Sequence, residues 1–217
     1  MLAGSAHAVV LAGWTFETNP PSLADSASGP VVSPQTGSGS FSGVHALGTS
    51  DWFTTNGNGS SNSYVSNNWT TGDYYEFSTS STGYENITIS FDSIGHGATT
   101  PRDFQLSYST DGTNFSNFGT VYAIEYNSPT NVLWTVGTPV TETSYSFDLS
   151  GVSALDDAST IYFRVSQVGT TSVTGGTANT VGTVRIDNVT INGTVVPEPA
   201  AALLGAFGLA GLLRRRR

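Results

Sequence analysis

The sequence predicts an all-β protein: a two-sheet antiparallel β-sandwich of the jelly-roll kind, followed by a short C-terminal hydrophobic helix. Three observations carry this reading. Apolar and polar residues alternate with period two in segment after segment. No stretch before the C-terminal tail shows apolar residues at helical spacing. The alternating segments are separated by uneven runs of Gly, Ser, Thr and Asn, which form turns and loops.

The elements follow in order. Residues 9–16 and 74–78 are strand candidates rich in Val, Tyr, Trp and Phe. Ile87, Ile89 and Phe91 alternate with Thr88, Ser90 and Asp92; Phe104, Leu106 and Tyr108 alternate with Gln105 and Ser107. Asp111-Gly112 is a tight-turn signal leading toward Phe115 and Phe118. Residues 121–126 and 131–136 are further strand candidates. Tyr145, Phe147 and Leu149 form another alternating set, as do Ile161, Phe163 and Val165. In the last strand Val184 and Ile186 share one parity, and Val189 and Ile191 the other. Either a β-bulge at Asp187-Asn188 re-aims the side chains, or the strand is buried on both faces. Residues 55–63 and 169–182 read as loops. Eight to ten strands with uneven loops argue a sandwich.

Composition excludes several chemistries. The 217 residues hold no cysteine, so disulfides, thiol nucleophiles and Cys–zinc sites are out. There is no lysine, which removes Schiff-base and P-loop chemistry. Before the tail, three arginines face fifteen acids, a balance with no electrostatic footprint for nucleic acid. Charged residues make up only 11%, so Ser, Thr, Asn and Gly must cover the surface.

No catalytic residue stands out. His7, His45 and His96 form no paired spacing, and neither H-E-x-x-H nor G-x-S-x-G occurs. His96, in Gly-rich surroundings, reads as a loop residue. Asp103 and Asp111 read as loop or turn acids and Asp156-Asp157 as a solvated turn. A glycosidase needs only two facing carboxylates, so a secreted hydrolase of polysaccharides, supported by calcium, stands as the alternative function. Sugar binding needs aromatic platforms beside polar groups. Trp52-Phe53, Trp69 and Tyr74-Tyr75 sit close to Asn- and Ser-rich loops, and alternation turns one of Tyr74 and Tyr75 outward.

The tail reads Pro197-Glu198-Pro199, then an uncharged apolar stretch over 200–213, then Arg214, Arg215, Arg216 and Arg217. Fourteen helical residues span roughly 21 Å, short of the ~30 Å hydrocarbon core. Snorkelling arginines allow a brief span with the Arg cluster on the cytoplasmic side. This tail resembles the PEP-CTERM sorting signal of Gram-negative bacteria. The resemblance implies general secretion, a transient stay in the inner membrane, and recognition by an exosortase that releases the body to the cell surface or extracellular matrix. At the other end, Ala6-His7-Ala8 fits a small-x-small cleavage pattern, so residues 1–8 read as the remnant of a signal peptide. The expected organisation is therefore 1–8 remnant, 9–194 sandwich, 195–217 sorting signal.

The body resembles exported jelly-roll domains of the carbohydrate-binding-module kind through two motifs, Trp14-Thr15-Phe16-Glu17 and Arg185-Ile186-Asp187-Asn188-Val189. The resemblance implies a structural calcium held by Glu17 and Asp187, with backbone carbonyls completing the shell. The expected function is a structural or adhesive surface or matrix protein, not an enzyme, with extracellular polysaccharide as partner through weak contacts.

Overall fold

The computed structural model describes residues 7–128 and 130–196. Thirteen strands are present: β1 (Ala8–Trp14), β2 (Thr36–Gly37), β3 (Ser40–Val44), β4 (Trp52–Phe53), β5 (Tyr64–Ser66), β6 (Tyr74–Thr79), β7 (Tyr84–His96), β8 (Asp103–Ser109), β9 (Ser116–Ala123), β10 (Glu125–Tyr126), β11 (Ser144–Asp148), β12 (Ile161–Gln167) and β13 (Thr183–Val195). Residues 1–6 and the sorting-signal residues Pro197, Glu198, Pro199 and Arg214 to Arg217 lie outside the described residues, as does the expected tail helix. Among the described residues no helix is long and apolar enough to cross a membrane.

The strands form two sheets. The smaller runs β3-β6-β12-β8-β9. The larger has an eight-stranded make-up built on β7 and β13, with the path β10-β7-β13-β1-β2, β11 beside β7, and β4-β5 beside β13. All pairings are antiparallel except the two-residue β10–β7 contact, which is parallel. The thirteen-residue strands β7 and β13 are long enough to share their edges. β5 takes β13 at Val184–Ile186, and β1 takes it from Val189 onward.

The division of β13 falls at a bulge. Asn188 has φ +49°, and the register against β7 shifts between Asp187 and Thr190. Asn tolerates this left-handed region better than other side-chain-bearing residues. Val184, Ile186, Val189 and Ile191 consequently all face the core. Arg185 and Asp187, on the opposite face, are also buried. Both readings of this strand therefore hold: a bulge re-aims it, and its first half is covered on both sides.

The core between the sheets is dominated by aromatic rings. Phe41 lies within 4.8–5.7 Å of Phe16, Tyr64, Tyr75 and Phe77, centroid to centroid. Such pairs add about 0.5–1.5 kcal/mol each beyond simple burial. Ile87, Ile89, Phe91, Phe104, Leu106, Ile161, Phe163 and Val165 join this core, as their alternation predicts.

Three expectations need correction. Residues 131–136 do not form a strand. They belong to a strap folded on itself by the isolated bridges Asn127–Val132 and Thr135–Thr138 and tied to the 55–63 loop by Gly59–Val136. Gly137, at φ +81°, and Pro139 break any ladder there. Residues 121–126 divide at buried Ile124, where the chain passes from β9 in one sheet to β10 in the other. The short β3, β4 and β5 form where no strand is expected, because Ser and Gly dilute their alternation.

Candidate glycan-contact face

Alternation places a second set of residues on the outer face of the smaller sheet. Phe41, Tyr75, Phe77, Leu106, Phe163 and Val165 point inward. Ser42, Tyr74, Glu76, Ser107, Tyr162, Arg164 and Ser166 therefore point outward. One row crosses four strands by direct pairing: Ser42, Glu76, Arg164 and Ser107. Arg164 is its centre. Its Nε donates to Glu76 Oε2 at 2.6 Å. Its guanidinium carbon stands 4.0 Å from the Tyr74 ring centre and 3.8 Å from that of Phe115. The cation is thus stacked between two rings and oriented by a carboxylate, an arrangement that fixes its planar donors.

The turn after β8 holds Phe115 in place. Asp111 Oδ1 accepts from the Thr113 and Asn114 amides at 2.8 and 2.7 Å and from Ser109 Oγ at 2.9 Å. These bonds, those from Asn114 foremost, hold the Asp111 carboxyl well below the usual carboxylate range. Gly112 has φ +70°, and a Cβ there would stand 3.1 Å from the Tyr162 ring. Burial raises the Tyr74 hydroxyl above its ordinary pKa, with Arg164 opposing and Glu76 adding to the rise. The face thus offers half-buried rings, a fixed guanidinium, a carboxylate and serines, suited to sugar C–H faces and hydroxyls.

Of the five platform candidates, Tyr74 alone reaches this face. Trp52, Trp69 and Tyr75 are core residues. Phe53 is half-buried on the other sheet and lines a cleft of about 640 Å³ with Leu23 and Asp51. Tyr162, Arg164 and Phe115 were not singled out from sequence. The Tyr162-Arg164 alternation could have shown two of them; Phe115 on Arg164 needs the turn geometry.

His45, just after β3, is buried among aromatic rings. Its ring centroid lies 4.5 Å from that of Trp52 and 4.4 Å from that of Trp69. Its Nδ1 is 2.9 Å from Ser50 Oγ and 3.9 Å from Asp73 Oδ2; its Nε2 is 3.3 Å from Ser66 Oγ. Asp73, His45 and Ser66 have the outline of a nucleophilic triad, but all three are buried, and Ser66 Oγ is 2.8 Å from Tyr75 OH. His96 ends β7, exposed. Asp103 begins β8 and pairs with Arg102 at 2.8 Å.

Glu17 and Asp187 contact the same loop. Glu17 Oε1 accepts from the Asn62 amide at 2.7 Å. Asp187 Oδ2 accepts from the Asn58 amide at 2.9 Å and Ser60 Oγ at 2.7 Å, and Oδ1 from the Asn188 amide at 2.8 Å. A Cβ on Gly57 would collide with Ser60 Oγ, the Asn62 carbonyl and Asp187 Oδ2. Gly57 is therefore packed directly against these oxygens, and Ser60 Oγ donates to both the Asn62 carbonyl, at 3.1 Å, and Asp187 Oδ2; oxygen is the donor calcium takes. Among the described residues no three His, Asp or Glu gather as metal ligands, so carbonyls and hydroxyls would have to complete a shell. Asp92 stands opposite Asp187 in the β7–β13 ladder. Asn58 and Asn188 each donate to both carboxylates, through a backbone amide to Asp187 and a side-chain amide to Asp92 Oδ2 at 2.9 and 2.8 Å. These two facing carboxylates are buried rather than set in a cleft.

No family model matches the chain, and no curated protein does. Among solved structures it is similar to the K1 cleaved adhesin domain of Lys-gingipain from Porphyromonas gingivalis W83, with 14% identity, 85% of this chain and 97% of that one covered, and a TM-score of 0.44. It is similar to CBM35 from Cellvibrio japonicus Abf62, with 11% identity, coverages of 85% and 92%, and a TM-score of 0.39. It is also similar to TmCBM61 in complex with beta-1,4-galactotriose, with 13% identity, coverages of 82% and 92%, and a TM-score of 0.36. Likeness at this level carries no functional argument, and the sandwich stands on the strand pairing itself.

Proposed function

We propose that the chain is an exported β-sandwich protein with a structural or adhesive role in a surface or extracellular polysaccharide, and that it touches glycan through the outer face of the smaller sheet. One observation carries the glycan part: Arg164 stacked between Tyr74 and Phe115 and tied to Glu76. In a chain this poor in charge, a fixed cation between rings amid serines has the chemistry of sugar contact. Export through the Pro197-Glu198-Pro199 tail, exosortase recognition and release from the inner membrane rest on the sorting-signal resemblance. Mass spectrometry of the native product tests release: a terminus near Pro199 supports it, and an intact Arg217 contradicts it. Screening the full chain against polysaccharide arrays tests binding. A response that Tyr74→Ala and Arg164→Gln abolish, with the fold intact, supports the face; flat responses to every glycan contradict it.

A structural calcium at Glu17 and Asp187, joined by the Asn62 carbonyl and Ser60 hydroxyl, belongs to the same proposal. A bound ion raises the melting temperature by mass action. Equal melting temperatures with calcium and with chelator would remove both residues as ligands.

A further inference from the structure

Arg164 and Glu76 meet at the centre of the outer face of the smaller sheet, and their bonding is one-sided. Among the described residues Arg164 makes one hydrogen bond, from Nε to Glu76 Oε2, and Glu76 accepts through that oxygen alone. The two side chains are 24% and 26% exposed. The Nη groups of Arg164 and Oε1 of Glu76 are therefore spare donors and a spare acceptor, held side by side. Tyr74 and Phe115 flank the guanidinium, so its edge is what a ligand can reach.

The other charges of this face are engaged as well. Asp103 is paired with Arg102 at 2.8 Å. Asp111 accepts from Ser109, Thr113 and Asn114. The remaining residues around the pair are Ser42, Ser107, Tyr162 and Ser166, which carry no charge. Each cation of the face is thus neutralised, in a body with three arginines against fifteen acids. A carboxylate arriving at Arg164 would meet the repulsion of Glu76 and of the acidic body behind it. A neutral sugar meets neither. Of two adjacent hydroxyls, one accepts from Nη and the other donates to Oε1.

Building on the glycan-contact reading of this face, we propose that Glu76 sets its charge specificity: by neutralising Arg164 it admits uncharged glycans through a pair of adjacent hydroxyls and turns away uronic acids. The corollary is a gain of function. Glu76→Gln keeps the length of the side chain and removes its charge. It leaves an unneutralised guanidinium fixed between two rings, free to pair a carboxylate through two parallel hydrogen bonds. A half-exposed ion pair contributes little to stability, so the variant folds as the parent does.

Polysaccharide arrays and calorimetric titration of the full chain test this. Polygalacturonate and alginate are included on the array, and an oligogalacturonate and its neutral methyl ester of equal length are the titrants. The parent should respond to neutral polysaccharides and to neither acidic polymer. Glu76→Gln should gain both acidic polymers and bind the oligogalacturonate at least tenfold more tightly than the parent does, a gain that shrinks as salt rises. Glu76→Ala should behave alike, and neither variant should gain affinity for the ester. Adding Arg164→Gln to Glu76→Gln should abolish the gain, which a merely rearranged surface would keep. Four results would overturn the proposal and leave glycan contact standing: a parent that binds the acidic polymers as tightly as the neutral ones, folded Glu76 variants with no gain for the oligogalacturonate, an equal gain for the ester, or a gain that survives Arg164→Gln. A parent array flat for every glycan would remove glycan contact itself, and the proposal with it.

Discussion

His45 and Asp187 are buried titratable groups whose pKa values move in opposite directions. Burial, opposed by Asp73, brings His45 down to about 4. Burial, against hydrogen bonds from Ser60, Asn188 and Asn58, pushes Asp187 up to about 7, with Asp92 adding to the rise. A lowered histidine contributes stability above its unfolded pKa near 6.5 and loses it as pH falls through 4. A raised aspartate contributes stability below its unfolded pKa near 4 and loses it as pH rises through 7. Each contribution is at most on the order of 3–4 kcal/mol. Between pH 4 and 6.5 they nearly cancel, and above 6.5 only Asp187 acts. Urea midpoints taken with chelator should therefore stay level at mildly acidic pH and fall between pH 6.5 and 8. Asp187→Asn should abolish that fall and expose a loss toward pH 4. His45→Gln should give stability that rises steadily on acidification. A parent profile that climbs from pH 6.5 to 8 would contradict the Asp187 assignment, and a His45→Gln profile unchanged from the parent would contradict that of His45. Neither shift was legible in sequence, because both depend on burial: Trp52 and Trp69 enclose His45, and the 55–63 loop closes over Asp187.

The β13 bulge and the strap over it act as one unit at the scale of elements. Asn188 combines a left-handed backbone with a side-chain bond to Asp92. Asn188→Ala should cost about 1–2 kcal/mol for the backbone and a further ~1–3 kcal/mol for the lost side-chain hydrogen bond to the Asp92 carboxylate, which keeps Asn58 and Ser144 as donors. Asn188→Gly should recover the backbone part alone. Urea midpoints separate the two, and equal losses in both variants would remove the backbone argument. Trp134 pins the strap, with Nε1 donating to Thr143 Oγ1 at 2.9 Å. Trp134→Ala should cost about 3–5 kcal/mol and raise amide exchange over 127–143 before the sheets open. Sequence alternation located β7, β8, β11 and β12 because each turns its apolar residues to the same side, toward the core. It offered Trp52, Trp69 and the Tyr74-Tyr75 pair alike as platform candidates and put residues 131–136 in a strand, because local pattern is silent on what covers a face. The phase slip at Asp187-Asn188 was visible in the sequence; the 55–63 loop that closes over Asp187 comes from far away in the chain.

The molecule as a whole is a sandwich with two differently dressed outer faces. The smaller sheet leaves Ser42, Ser166, its outer rings and Arg164 half-exposed, and the larger buries Arg185 and Asp187 on its outer side while Phe53 stays half-buried. The Asp111 turn carries Phe115 onto Arg164 on the smaller sheet, the face proposed to contact glycan. Asp111→Ala should weaken glycan binding several-fold with little change in melting temperature, since the turn is exposed; an unchanged affinity would free Phe115 from any role. Glycan contact on the Arg164 face is tested most directly by titrating the parent chain and its Arg164→Gln variant with the strongest polysaccharide from the array. Saturable binding by the parent, weakened at least tenfold in a variant of unchanged melting temperature, is the predicted result. Equal binding by both chains would contradict it.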